Sequence, residues 1–309
     1  MVRAGRSVRG KVPTVIPSLL CAIVVFAGAP GFPAELVEFT PYEGNPVFEG
    51  AGPGHWDEHI RERGWILLED GLYHLWYTGY AGSDDNPKYL GYATSPDGIT
   101  WTRHPDNPVH DAHWVEDMTV VKRDGVYYMF AEGRDDQPHL LTSTDRVHWT
   151  RQGQLAIRKT TGELIAPGPY GTPAVFVEDG VWHLLYERDD EAVWLATSSD
   201  GLTWTHVQDA PILLPGPDDY DFRMIAINQA VKRDGRYYAY YHGLVRDAKP
   251  EDWTTCVAVS SDLIHWEKYP GNPILRDNKS SAVLVDTPDG FQLYTMHPAV
   301  CLHTNPEPP

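Results

Sequence analysis

One pattern constrains this chain more than any other. An Asp-Gly pair followed by an aromatic β-prone run recurs at Asp70 (DGLYHLWYTG), Asp124 (DGVYYMFAEG), Asp179 (DGVWHLLYER), Asp234 (DGRYYAYYHG) and Asp289 (DGFQLYTMHP). The intervals are 54, 55, 55 and 55 residues. Asp-Gly between two β-prone runs reads as a tight hairpin, because such a turn needs positive φ and glycine supplies it at little steric cost. A second motif, Ser-x-Asp-x-x-x-Trp, runs in phase and ends at Trp101, Trp149, Trp204 and Trp266. Asn-Pro-Val or Asn-Pro-Ile stands at Pro46, Pro108 and Pro273, where the chain should pass between units.

Each unit therefore reads as four antiparallel strands, and helical periodicity is almost absent. Five such units predict an all-β protein, a five-bladed β-propeller spanning residues 35–304. The fifth copy lacks its Trp strand, while Glu35–Thr40 is left over at the other end of the chain. That segment is expected to complete the fifth blade and close the ring, which removes free sheet edges.

Composition narrows the partners. A formal charge of −18 argues against nucleic acid and anionic membrane, both polyanions. Eleven Trp and 17 Tyr fill cores and also suit sugar faces. Residues 1–29 read as a signal peptide, with Arg3, Arg6, Arg9 and Lys11 ahead of the apolar run Val15 to Ala29, so the mature protein is expected to be secreted or periplasmic and free of the membrane. Pro30 leaves the cleavage position open. Cys21 would leave with the signal, and Cys256 and Cys301 do not make a disulfide framework.

Aligning the repeats locates a candidate site. In a propeller the first strand of each blade lines the channel and the second lies beside it, so the start of one and the end of the other share a mouth. Eight residues beyond each Asp come Thr78, Glu132, Glu187, His242 and His297; seven before it come Arg63, Asp117, Thr172, Ile227 and Ala282. Glu116, Asn228, Arg134 and Arg188 sit close to the same rim, with Asp57, Glu58, Arg61, Asp221 and Arg223 just upstream. Taken singly, an acid or histidine at a strand end is more often solvated, or caps the backbone. As a set, Thr, Glu, Glu, His and His at matched positions point to a site, since a structural slot would repeat one residue type. The Ser-x-Asp aspartates Asp145, Asp200 and Asp262 and the repeat tryptophans do repeat, and are read as structural.

These features resemble the five-bladed β-propeller glycosidases of glycoside hydrolase families 43, 32, 117 and 130. The resemblance covers about residues 35–304 and rests on the five-fold repeat, the LGYATSPDGITW strand pair and the Asn-Pro-Val linkers. Val115–Met118 (VEDM) is similar to the family-130 signature Val-Glu-Asp-Pro-Arg, whose Asp donates the proton; that implies Asp117 as the acid, although Met118 and Thr119 replace Pro-Arg. A family-43 base has its nearest counterpart in Asp57, while Thr172 and Ile227 occupy slots where that family places further carboxylates.

The resemblance implies an exported glycoside hydrolase acting on an oligo- or polysaccharide by carboxylate acid/base catalysis, with inversion the superfold's habit. Asp117 would be the acid, with Asp57 or Glu187 as base. Glu116, Glu132, His242 and His297 would bind hydroxyls or tune pKa values, and Asn228 would join the rim. His242 has a second candidate role as an acid, as in family 117. Arg61, Arg63 and Arg188 would orient the carboxylates or hold an acidic sugar. Two alternatives stand beside this reading: a family-130-like phosphorylase, for which Arg61, Arg63, Arg134, Arg188 and Arg223 are the available cations, and a non-catalytic sugar-binding propeller. Some family-43 members carry a channel Ca²⁺; here no oxygen-rich spacing near His297 announces one, and no cofactor is expected. Sugar, linkage, exo or endo action and oligomeric state are not encoded in any motif.

Overall fold

The computed structural model describes residues 31–306, apart from residue 190 and the side chain of residue 62. The predicted signal peptide, residues 1–29, lies outside the described residues. Five antiparallel sheets follow one another along the chain. Blade one is His59–Glu69, Leu72–Tyr80, Tyr89–Ser95 and Thr102–Arg103, and blade two is Glu116–Arg123, Val126–Glu132, Pro138–Ser143 and Thr150–Gln154. Blade three is Gly171–Glu178, Val181–Arg188, Ala192–Ser198 and Thr203–His206, with Ala156–Arg158 added in parallel to its outer strand. Blade four is Ile225–Arg233, Arg236–Leu244, Trp253–Ser260 and Trp266–Lys268.

Blade five has three strands of its own, Val283–Thr287, Gly290–Met296 and Val300–Thr304. Its fourth position is held by Thr40–Pro41, paired as Thr40↔Thr304 and Pro41↔His303. Most of the segment expected to form this strand does something else: Ala34–Val37 is a helical turn whose Leu36 and Val37 are buried in the apolar cluster between blades four and five. Leu36 and Val37 are adjacent, and a single helical turn seats both against one apolar surface, whereas a strand would point them to opposite faces.

The local motifs have direct structural causes. In the first four blades the Asp of the Asp-Gly turn has φ between 49° and 52° and the Gly between 75° and 81°, the two-residue turn that matches strand twist. In each Ser-x-Asp turn the aspartate accepts two backbone N–H groups ahead of it, as Asp97 does from Ile99 and Thr100 at 2.8 and 2.7 Å. The same geometry recurs at Asp145, Asp200 and Asp262. Trp149 and Trp204 are buried, and Trp101 and Trp266 pack against the clusters from their edges.

The inner strands carry the feature that shapes the site. Register shifts interrupt the pairing of the first two strands at Arg61/Trp65, Glu116/Thr119, Gly171/Ala174 and Ile227/Gln229 in blades one to four. A bulge leaves residues out of the ladder and re-aims the side chain there. Asp117 and Thr172 sit in the bulges at φ 45°, a left-handed conformation that costs on the order of 1–3 kcal/mol away from glycine.

Candidate active site

The bulges leave backbone carbonyls without ladder partners near the propeller axis, and one side chain collects them. Arg63, fully buried, enters from blade one. Its Nη2 donates to the carbonyls of Asp117 and Pro173, both at 2.8 Å, and its Nη1 to the carbonyl of Asn228 at 2.6 Å. Thr119 Oγ1 also donates to the Pro173 carbonyl, at 2.6 Å. A planar guanidinium with five donors suits such a convergence. Burial lowers Arg63 to about 10, opposed by the charges of Asp117 and Glu132, so it stays cationic at neutral pH. The expected role for Arg63 at the rim is thus corrected. It lies beneath the site, where no sugar reaches it.

Above this hub opens a cavity of about 680 Å³. The second-strand positions picked out by the repeat lie at this mouth through the pairings Arg61↔Thr78, Glu116↔Glu132, Gly171↔Glu187 and Ala226↔His242. Asp117, Glu132, Glu187, His242, His297 and Arg61 line the cavity. Thr78 does not; its hydroxyl donates to the Val115 carbonyl at 3.1 Å. Tyr80 and Trp253 supply aromatic wall, and Trp253 meets His242 edge-on at 5.2 Å.

Glu132 and Glu187 converge at Gly171. A Cβ there would lie 2.3 Å from Glu132 Oε1 and 2.7 Å from Glu187 Oε1. The two carboxylates therefore occupy the space a side chain would fill, and their facing oxygens are no farther apart than those two distances together. Glu132 also accepts the Thr172 backbone N–H. Its pKa is nonetheless raised well above the usual carboxylate range, by burial first and then by the charges of Asp117 and Glu187. Burial and the neighbouring charges thus favour the protonated form of Glu132.

His242 is buried and neutral: burial, then the charges of Arg63 and His297, push it down to about 3. Asn228 Nδ2 lies 3.1 Å from His242 Nδ1. That contact makes Nδ1 the acceptor and directs an Nε2–H elsewhere. Asn228, expected at the rim, is instead buried behind His242 and orients it.

Three further expectations change. Asp57 does not line the cavity. Its Oδ2 accepts from Tyr77 Oη at 2.9 Å and Arg103 Nε at 2.8 Å, under a stack of Trp56 on Tyr77. Asp221 repeats this arrangement in blade four, accepting from Tyr241 Oη at 3.1 Å and Lys268 Nζ at 2.5 Å. A polar group that recurs in two blades with a tyrosine and a cation as partners is structural, by the criterion that set the diverging ring apart. Arg188 is half-buried, donates to the Ala166 carbonyl at 3.1 Å, and is not among the described residues that line the cavity. Arg61 lines the wall with its Nη1 2.6 Å from Asp84 Oδ2 and its Nε 3.6 Å from Glu116 Oε2. Glu116 accepts from Trp114 Nε1 at 2.7 Å and offers, with Glu132 and Asp136, three oxygens within 4.8 Å of one another.

Sequence reasoning missed Lys88 and Asp84. Lys88 is buried, its Nζ over the rings of Tyr80 and Trp114 at 4.1 and 4.8 Å and 3.3 Å from Asp84 Oδ1. It pins the loop that carries Asp84 to the rim. The signal available was a Lys four residues after an Asp, too common to single out.

A five-bladed propeller with buried carboxylates at one axial mouth defines a class, the glycoside-active propellers. Residues 173–287 match the family model described as glycosyl hydrolases family 32 N-terminal domain. A 1,2-beta-oligomannan phosphorylase of Thermoanaerobacter sp. (strain X514) is 26% identical over 230 residues, 67% of this chain and 72% of that protein. Among solved structures, a glycosyl hydrolase from Bacteroides ovatus superposes with a TM-score of 0.67 at 17% identity, covering 88% of this chain and 94% of that one. A family-130 structure from work on glycoside hydrolases that target beta-1,2 mannosidic linkages gives 0.66 at 18% identity, covering 88% and 95%. In fold and in these partial matches the chain is similar to the five-bladed β-propeller glycosidases.

Proposed function

We propose that this protein is an exported glycoside hydrolase in which Glu132 supplies the proton and Glu187 attacks the anomeric carbon. The observation that carries this is the meeting of Glu132 and Glu187 at Gly171 on the floor of the cavity. Glycoside hydrolysis needs one protonated and one ionised carboxyl flanking the scissile bond. Burial and the neighbouring Asp117 charge favour a proton on Glu132, and the role of carboxylate is assigned to Glu187, which faces it. In this reading the acid role passes from Asp117 to Glu132, and Asp117 is the charge that holds the proton there.

The closeness of the pair also bears on stereochemistry. Inverting pairs stand roughly 6.5–9.5 Å apart to admit a water, and retaining pairs about 5–5.5 Å. The facing oxygens of Glu132 and Glu187 lie closer than the first range, so the reading favours retention through a covalent glycosyl-enzyme over the inversion that the superfold's habit implies.

The phosphorylase reading has one specific support, the 26%-identical oligomannan phosphorylase. A phosphorolytic site needs cations for phosphate. Among the described residues lining the cavity Arg61 is the only Arg or Lys, and it faces Asp84 and Glu116. This favours water as the acceptor. The deciding experiment is a screen of aryl glycosides and plant, algal and fungal oligosaccharides with and without phosphate, read by NMR. Free reducing sugar formed at a phosphate-independent rate, first in the retained anomer, is expected. Sugar 1-phosphate would move the protein to the phosphorylases, and binding without turnover on every glycan would make it a lectin.

A further inference from the structure

The cavity carries more carboxylates than the proposed chemistry uses. Besides the three on its floor, Asp84, Asp136, Asp189 and Glu251 line its walls. Four cations near them are already engaged. Arg61 faces Asp84 and Glu116, and Lys88 is enclosed by two aromatic rings with Asp84 beside it. Arg223 lies 3.5 Å from Glu251. Arg63 is directed at backbone carbonyls below the floor. The chain as a whole has a formal charge of −18, the same sign as the local one. A concave cleft in which carboxylates outnumber cations focuses that potential on whatever enters it.

We infer that the site selects its glycan by charge, taking uncharged and amine-bearing sugars and turning away those with carboxylate, sulfate or phosphate groups. The inference rests on the glycan-cleaving reading of the same cavity and adds a substrate class to it. It also reverses the expectation that Arg61, Arg63 and Arg188 hold an acidic sugar. Asp136 and Asp189 are exposed at the rim, outside the proposed acid and nucleophile, where a cationic group on the sugar would meet them.

The test uses wild-type protein and the Asp136→Asn/Asp189→Asn double variant on arrayed oligosaccharides matched in backbone but carrying a hydroxyl, an amine or a carboxylate. At low salt the expected order of affinity is amine, then hydroxyl, then carboxylate, with amine and carboxylate members separated by roughly tenfold or more. Raising the salt to about 0.5 M and introducing the double substitution should each compress that order. Carboxylate glycans held as tightly as their uncharged matches would overturn the inference and leave the glycosidase reading standing. An order unchanged in the double variant would overturn it too. Failure to bind any glycan would remove both.

Discussion

The guanidinium of Arg63 donates to the backbone carbonyl of Asn228 at 2.6 Å, joining the inner strand of blade one to that of blade four. The same group reaches blade two through Asp117 and blade three through Pro173. One charged side chain thus satisfies carbonyls that bulges in three blades leave outside their ladders.

Replacing Arg63 with methionine should destabilise the protein by at least about 2 kcal/mol, since the Asp117 and Asn228 carbonyls lose their donor at a cost of roughly 1–3 kcal/mol each, while Pro173 keeps Thr119. Urea unfolding of wild type and R63M measures it. A loss under about 1 kcal/mol would mean the carbonyls find other donors.

Gly171→Ala tests the crowding of Glu132 and Glu187. The glycine's backbone conformation is open to alanine, so the only obstacle is space, and the new methyl would meet both carboxylates. Activity should fall by more than about 100-fold, in line with a misplaced acid or nucleophile, while the variant still folds. Activity within a few-fold of wild type would remove the pair from the chemistry.

Glu132 has a pKa raised in the folded state, so its contribution is fully present below the unfolded Glu value and is lost as pH rises through the folded value. Glu132→Gln mimics the protonated form and does not ionise. The melting temperature of E132Q should therefore gain on wild type as pH climbs from about 4.3, the unperturbed Glu value, and the gap should level off once Glu132 is ionised in the native protein. Parallel melting curves between pH 4 and 9 would show that Glu132 is not the proton-holding group.

Asp117→Asn removes the neighbouring charge and should lower the Glu132 pKa. The alkaline limb of kcat against pH should move to lower pH. If kcat collapses at every pH with no movement of that limb, Asp117 is itself the acid.

Asp57→Asn and Asp221→Asn should behave alike, because each aspartate is held by a tyrosine and a cation in the same way. Thermal stability should drop in both, with kcat/KM changed by no more than a few-fold. A loss of turnover confined to D57N would restore Asp57 as a base.

The blade count, the hairpins and the Ser-x-Asp turns were legible in the sequence because each is decided within a few residues. The ring of Glu132, Glu187, His242 and His297 was legible because a fixed period makes equivalent positions comparable. Arg63 was not. Its burial depends on Asn228, 165 residues away, and on bulges that shift the register without changing the spacing of the motifs. Asp57 was misplaced for a related reason: its partner Arg103 comes from the fourth strand, the least regular part of each repeat. The helical turn at Ala34–Val37 escaped because four residues are too few to display a period.

The matching polar clusters of blades one and four carry a consequence for descent. Asn107 donates to Tyr77 Oη and Asn272 to Tyr241 Oη, both at 3.2 Å, so the likeness extends from the aspartate to the linker asparagine. A four-member arrangement shared by two non-adjacent blades is what copies of one module would show if the cluster belonged to the module itself. The proposed chemistry sits at the opposite kind of position, on strand ends where the repeats carry different residues. The mouth of the cavity is the part of the molecule where its copies differ most.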